Sequence, residues 1–166
     1  MLLKNFIKTM CYGLTGDNDV VTTSGSTYHS SSASSSVPFN AYKNSGSNTN
    51  SMTFLGMALG TDDTPPVYTD NQIKTPITSG LVDVSHQNSY SRTTKTLTQT
   101  VRNDSTDTIT VKEIGIFATG SSDVNSNYYR ILYTRSIINV PILPGETKTF
   151  TISINYDKFS ESYSAT

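Results

Sequence analysis

Three strand-like runs in the last third of the chain constrain its fold more than any other feature. They span residues 108–117, 129–138 and 143–156, and turn residues separate them. The last run alternates apolar with polar residues, and its apolar positions are Phe150, Ile152, Ile154 and Tyr156. A period of two over this length is typical of a β-strand with one buried face. The pattern therefore predicts antiparallel β-structure.

Further runs upstream complete an all-β pattern. Residues 51–60 form an apolar strand, predicted to be central in its sheet because it is too apolar for a solvated edge. Residues 80–85 and 89–102 follow as strands, and residues 103–107 are predicted to form a hairpin turn into the strand at 108. About seven short strands at this spacing predict an antiparallel β-sandwich, either a jelly roll or an immunoglobulin-like fold.

The apolar pattern changes phase within the run 108–117. Ile109 and Val111 share one face of the strand, whereas Ile114 and Ile116 fall on the opposite face. Two interpretations remain open: both faces of the strand are covered, or a β-bulge near Glu113 and Gly115 shifts the register.

The N-terminal segment, residues 1–21, is interpreted as an arm. Apolar residues recur in it at spacings of three and four, which is typical of one face of a short amphipathic helix. This stripe packs either on its own domain or on a neighbouring subunit. The residues expected to contact a partner there are Leu3, Phe6, Ile7 and Met10.

The remaining chain divides into a loop, a domain and a tail. Residues 22–50 are rich in Ser and Asn and bury too little apolar surface to fold alone, so they predict a long polar loop or linker. Residues 51–158 are assigned to the sandwich domain, and residues 159–166 to a C-terminal tail.

Composition argues against several classes of protein. Of the 166 residues only 15% are charged and the formal net charge is -1, so the clustered cations that nucleic-acid binding requires are missing. The single cysteine, Cys11, cannot form a disulfide within the chain. No apolar run approaches the length of a membrane span, and the N-terminus does not resemble a signal peptide. We therefore expect folding in a cytoplasm, without a nucleic-acid or membrane role.

Residues that could carry chemistry are few. His29 and His86 lie in polar surroundings without a convincing partner, and Cys11 is interpreted as a small apolar filler. The pair Asp62 and Asp63 is interpreted as a solvated turn rather than a cation site. We therefore expect no enzymatic activity, no metal and no cofactor.

Two further features have competing interpretations. Glu113 interrupts an apolar run, and we interpret it as half of a structural ion pair with Arg130 or Arg135 rather than as a catalytic acid. The tyrosines near the start of the second run form either a contact surface or cross-strand packing; of these, Tyr128 and Tyr129 are the candidates for partner contact.

Three segments resemble a group of tailed-bacteriophage virion proteins. The first is Leu55-Gly-Met-Ala-Leu-Gly-Thr-Asp-Asp-Thr-Pro-Pro66 with the Pro-Ile pair at 76–77, the second is Val111-Lys-Glu-Ile-Gly-Ile-Phe117, and the third runs from Ile131-Leu-Tyr-Thr-Arg135 through Pro-Gly-Glu-Thr at 144–147. The order of the three segments is more specific than any one of them. The first departs from the family pattern at Asp62 and Asp63, where a glycine often stands.

This resemblance covers about residues 51–156 and implies a structural component of a phage particle. It implies assembly in multiple copies as a ring, collar, tail or baseplate part, with other copies and other virion proteins as partners, formed in the host bacterial cytoplasm. Two alternatives remain: a capsid decoration protein, or a module of the tail tip that binds a receptor or a host surface glycan. In the glycan alternative Tyr90, Tyr128 and Tyr129 would serve as aromatic platforms.

Overall fold

The described part of the chain is built almost entirely from antiparallel strands. The computed structural model describes residues 1, 4, 19–21, 24–25, 27–29, 54–90, 94–121, 128–155 and 160–166. Their strands are β1 (Asp19–Val21), β2 (Thr27–His29), β3 (Phe54–Gly60), β4 (Leu81–Tyr90), β5 (Thr94–Asn103), β6 (Ile109–Ser121), β7 (Tyr128–Ile142), β8 (Thr147–Asn155) and β9 (Ser160–Ala165). The all-β prediction is confirmed. Within these ranges no helix has the length and apolar character to cross a bilayer.

The strands form three antiparallel sheets. β1 pairs with β2, a three-stranded sheet has the order β3-β6-β7, and a four-stranded sheet has the order β4-β5-β8-β9. The predicted hairpin at residues 103–107 is wrong, because β5 and β6 belong to different sheets. The turn at residues 143–146 also crosses between the sheets, from β7 to β8. Short turns are therefore compatible with both a hairpin and a sheet crossing, and the local sequence does not distinguish them.

One hydrophobic cluster joins the three- and four-stranded sheets. The three-stranded sheet contributes Ile114, Ile116 and Tyr133 among others, and the four-stranded sheet contributes Leu97, Val101, Phe150, Ile152 and Ile154. Each such side chain stabilises the fold by about 1.5–3 kcal/mol when fully buried. The predicted alternation in the last run is confirmed at Phe150, Ile152 and Ile154, whereas Tyr156 lies outside the described residues.

A bulge explains the phase change in β6, and both faces of the strand are covered as well. The register of β6 with β7 shifts between Val111 and Glu113. Val111, Ile114 and Ile116 belong to the inter-sheet core. A second, smaller cluster of Ile73 and Leu132, with Ala58 and Phe117 packed against it, covers the other face of the same sheet. The bulge and the double coverage therefore occur together.

β3 is an edge strand, so its predicted central position is wrong. A connecting segment lies along part of that edge: Thr61 N donates to Thr75 O, Ile77 N donates to Leu59 O, both at 2.9 Å, and Gly60 forms an isolated antiparallel bridge with Pro76. This coverage explains why an edge strand can be so apolar.

The C-terminal residues extend the four-stranded sheet. The sequence suggested a tail at 159–166, but Ser160–Ala165 forms β9 and pairs with β8 from Phe150↔Ala165 to Asn155↔Ser160. Thr149 and Thr166 then exchange two backbone hydrogen bonds, at 2.7 and 3.0 Å. The sequence of β9 is mostly polar, because only its inward-facing residues lie toward the other sheet. Apolar periodicity therefore did not reveal this strand.

Candidate functional site

The largest concentration of charge in the described residues surrounds Arg135, on the outer side of the three-stranded sheet. Its side chain is fully buried. Nε donates to Glu113 Oε2 at 2.7 Å, Nη1 donates to Asp70 Oδ2 at 3.1 Å and to Thr64 O at 3.0 Å, and Nη2 donates to Asp62 Oδ1 at 3.2 Å. The guanidinium thus joins β6, β7 and the segment 61–77.

Glu113 occupies the centre of this cluster. In addition to the Arg135 contact, Oε2 accepts a hydrogen bond from Lys74 N at 3.0 Å, and Oε1 accepts one from Thr75 N at 2.7 Å. The predicted ion pair is confirmed, with Arg135 rather than Arg130 as the partner. A buried carboxylate satisfied by a guanidinium and two backbone amides fulfils the requirements of a structural ion pair.

Asp70 and Asp62 supply the remaining negative charge. Lys74 Nζ lies 2.8 Å from Asp70 Oδ1. Burial alone would raise the pKa of Asp70, but hydrogen bonds from Lys74 and from Val67 N, with the charges of Lys74 and Arg135, hold that pKa below its ordinary value. Hydrogen bonds from the side chain and backbone of Thr64 lower the pKa of Asp62. Asp70 and Asp62 are therefore ionised at neutral pH.

Two glycines allow the close packing around Glu113. A Cβ atom at Gly60 would overlap Glu113 Oε1 and lie 2.6 Å from Ile73 Cγ2, and a Cβ atom at Gly115 would lie 2.5 Å from Thr134 O. A larger residue at either position would therefore force the cluster or the neighbouring strand to move.

The first residue of the chain contacts the same region. Met1 N donates to Arg135 O at 2.8 Å and to Ser136 Oγ at 2.9 Å, while Arg135 N donates to Met1 O at 3.1 Å. Lys4, which has helical geometry, donates from its backbone N to Tyr68 O at 2.9 Å. At these two residues the arm contacts its own chain. The predicted partner-contact residues Leu3, Phe6, Ile7 and Met10 lie outside the described residues.

The other predicted candidates are dispersed. His86 Nδ1 lies 3.3 Å from Asp83 Oδ2 on the exposed strand β4, and Asp63 pairs with Lys112 at 2.9 Å. Tyr133 is buried in the core, so the packing interpretation holds for it. Tyr128 and Tyr129 begin β7, opposite Ser121 and Gly120. In the ranges that the structure describes, no group of three His, Cys, Asp or Glu side chains could hold a metal ion.

Asn103 is a structural residue that the sequence analysis did not single out. It is fully buried. Nδ2 donates to Asp107 O and Ile142 O, both at 2.8 Å, and Oδ1 accepts hydrogen bonds from Ser105 N at 2.9 Å and Ser105 Oγ at 2.6 Å. Its backbone bonds with Gly145 and Glu146 tie it to the second crossing turn. The asparagine at the start of the turn was the available signal, since an Asn side chain accepts a hydrogen bond from the backbone amide two residues on.

Asp70, Lys74 and Thr75 were also missed, because nothing in the local sequence marks the connecting segment as part of a charged cluster.

Comparison of the chain with family models, with curated proteins and with solved structures gives no match.

Proposed function

We propose that this chain is a structural component of a bacteriophage particle, assembled in multiple copies, with its two main sheets packed as a β-sandwich. One observation carries the proposal: the three segments that resemble phage virion proteins meet at the Arg135 cluster. Glu113 comes from the second segment, Arg135 from the third, and the backbone of Thr75, next to the Pro-Ile pair, comes from the end of the first.

Specific positions of the shared pattern have a physical role in this cluster. Gly60 ends the apolar strand of the first segment and leaves space for Glu113, while Gly115 in Glu-Ile-Gly leaves space for the carbonyl of Thr134. These two glycines therefore belong to the packing of the cluster as well as to the shared sequence pattern. We also propose that the strands of this sandwich are connected as in a jelly roll or an immunoglobulin-like fold.

The site geometry favours a scaffold role. The buried charges of the cluster bind one another and nearby backbone groups, and they fix the segment 61–77 on the sheet. Buried charges that bind one another in this way favour a single conformation of the chain. Repeated assembly of identical subunits requires such a single conformation. The N-terminal arm and the polar loop would then extend to neighbouring copies or to other virion proteins, with no cofactor and no catalytic step.

The oligomeric state of the full chain tests this proposal. We expect light scattering after size exclusion, together with native mass spectrometry, to show a discrete oligomer, and negative-stain images to show closed rings or other symmetric particles. A monomer that persists at all accessible concentrations and in the presence of its own particle's other proteins would contradict the proposal.

The role of the arm can be tested separately. Deletion of residues 1–50 should abolish assembly and leave a folded domain, although it also removes the Met1 contacts with Arg135. A variant that keeps the chain length avoids this effect: the four stripe residues would be changed together, Leu3→Ser, Phe6→Ser, Ile7→Ser and Met10→Ser. Assembly that survives both changes would exclude the arm as the assembly element.

A further inference from the structure

The central part of the outward face of the four-stranded sheet is an array of hydroxyl groups. Leu97 of β5 is buried in the inter-sheet core, as are Phe150 and Ile152 of β8. Because side chains alternate along a strand, the even-numbered residues of β5 and the odd-numbered residues of β8 point outward. Tyr163 Oη donates to Ile137 O of the opposite sheet at 3.1 Å, which places the odd-numbered residues of β9 inward and the even-numbered residues outward. The register of β4 with β5 then assigns its outward side chains.

Three successive rows run across the sheet in the order β4, β5, β8, β9, and the third row ends at Thr166, directly after β9. The first row holds Ser89, Thr96, Ser153 and Ser162; the second holds Gln87, Thr98, Thr151 and Ser164; the third holds Ser85, Thr100, Thr149 and Thr166. Within these rows every side chain carries a hydroxyl group except Gln87, which carries an amide. No side chain in the rows is charged.

The hydroxyl groups at the centre of the array bind one another and keep capacity for a ligand. Thr96 Oγ1 lies 2.9 Å from Ser153 Oγ, and Thr100 Oγ1 lies 3.0 Å from Thr149 Oγ1. A hydroxyl group offers one donor and two acceptor sites. Each pair therefore retains one donor and three acceptors after its mutual hydrogen bond, and these fix a pattern of polar groups on the surface.

We propose that this hydroxyl face binds a neutral, hydroxyl-rich polysaccharide. A charged ligand would lose hydration on this face without meeting an opposite charge, and an apolar ligand would leave the hydroxyl groups unsatisfied. Sugar hydroxyl groups both donate and accept, so they match the mixed capacity of the array. The inference concerns a surface remote from the Arg135 cluster and does not depend on the proposed role in a phage particle.

The size of the hydroxyl array favours a sugar chain over a second copy of this protein. Four strands spaced by about 4.8 Å and three rows spaced by about 6.8 Å give an array roughly 14 Å on each side. Even with its side chains this covers only a few hundred Å², whereas a stable protein interface buries about 800 Å² on each partner. An oligosaccharide of several units fits such a surface.

Affinity electrophoresis of the full chain tests the proposal. The gels would contain a neutral β-glucan, dextran or galactomannan, with polygalacturonate as the charged comparison, and pull-down on cellulose and chitin would cover insoluble polymers. We expect retardation by at least one neutral polysaccharide that persists between about 0.05 and about 0.5 M salt, because uncharged contacts are not screened.

A paired substitution locates the site. Thr98→Val with Thr151→Val removes two central hydroxyl groups and keeps β-branched side chains, so binding should weaken about tenfold while the fold is kept. The matched control, Thr108→Val with Thr110→Val, lies outside the array and should bind like the natural chain. Three results would overturn the proposal: no retardation by any neutral polymer, equal retardation of both variants, or a change of oligomeric state in the Thr98/Thr151 variant without a change in retardation.

Discussion

Arg135 and Glu113 form a completely buried ion pair across β6 and β7, with Arg135 Nε 2.7 Å from Glu113 Oε2. The pair is not isolated. Glu113 also accepts hydrogen bonds from two backbone amides, and Arg135 also donates hydrogen bonds to Asp70 and Thr64. The pair therefore does more than join two strands. It fixes the segment that covers the outer face and the free edge of β3.

Removal of Glu113 should destabilise the protein strongly. In Glu113→Ala, Arg135 loses its buried partner, and Lys74 N and Thr75 N lose their acceptor, so we expect the free energy of unfolding to fall by about 3–5 kcal/mol. Urea unfolding followed by circular dichroism measures this change. Lys112→Ala, which breaks the exposed pair with Asp63, is the control and should have little effect. Similar losses of unfolding free energy in the two variants would show that burial of the Glu113–Arg135 pair adds little to stability.

The charge on Asp70 should make stability depend on pH in the acid range. Its pKa in the folded chain is below the ordinary value, so the unfolded chain binds more protons between the two pKa values. The stabilisation is therefore complete above the unfolded pKa of about 3.9 and is lost as the pH falls through the folded pKa. We expect Asp70→Asn to give a shallower decline in unfolding free energy between about pH 5 and pH 2.5. An unchanged slope would show that Asp70 does not contribute.

Periodicity predicted the parts of the fold that depend on a single strand. The alternation of Phe150, Ile152 and Ile154 identified β8, and the phase change indicated the bulge beside Glu113 as one of two interpretations. These predictions succeeded because the position of a side chain on one face of a strand follows from its own sequence.

Features that depend on two distant segments could not be predicted in the same way. The turn after Asn103 looks like a hairpin turn, and only the packing of both sheets decides that β6 leaves for the other sheet. Asp70 joins the Arg135 cluster through a segment without regular structure, for which no periodicity exists. The edge position of β3 was hidden because residues 75–77 cover that edge.

The close approach of β6 and β7 at Gly115 should not tolerate a side chain. In Gly115→Ala the new Cβ atom would lie 2.5 Å from Thr134 O, a backbone atom that cannot rotate away, so we expect a loss of about 3 kcal/mol in unfolding free energy. Gly145→Ala is the matched control: its surroundings are open but its φ is 76°, which limits the expected loss to about 1 kcal/mol. Thermal and urea unfolding of both variants measure the difference. A smaller loss at Gly115 than at Gly145 would contradict the packing of these strands.

Asn103 should be required for the alignment of the two crossing turns. Asn103→Ala removes the donor that satisfies Asp107 O and Ile142 O and the acceptor for Ser105, and Ile142 is itself fully buried. An unsatisfied buried carbonyl is unfavourable by about 1–3 kcal/mol, so the variant should lose about 3 kcal/mol when the broken turn is included. Asn139→Ala, at an exposed position of β7, should change stability by less than about 0.5 kcal/mol. Hydrogen exchange adds a local readout: relative to the natural chain, Asn103→Ala should accelerate exchange at the amides of residue 103 and Gly145, which bond across the two turns, more than at the amides in the centre of β8. Equal acceleration of exchange at all measured amides would show that Asn103 stabilises the whole domain and not the two crossing turns in particular.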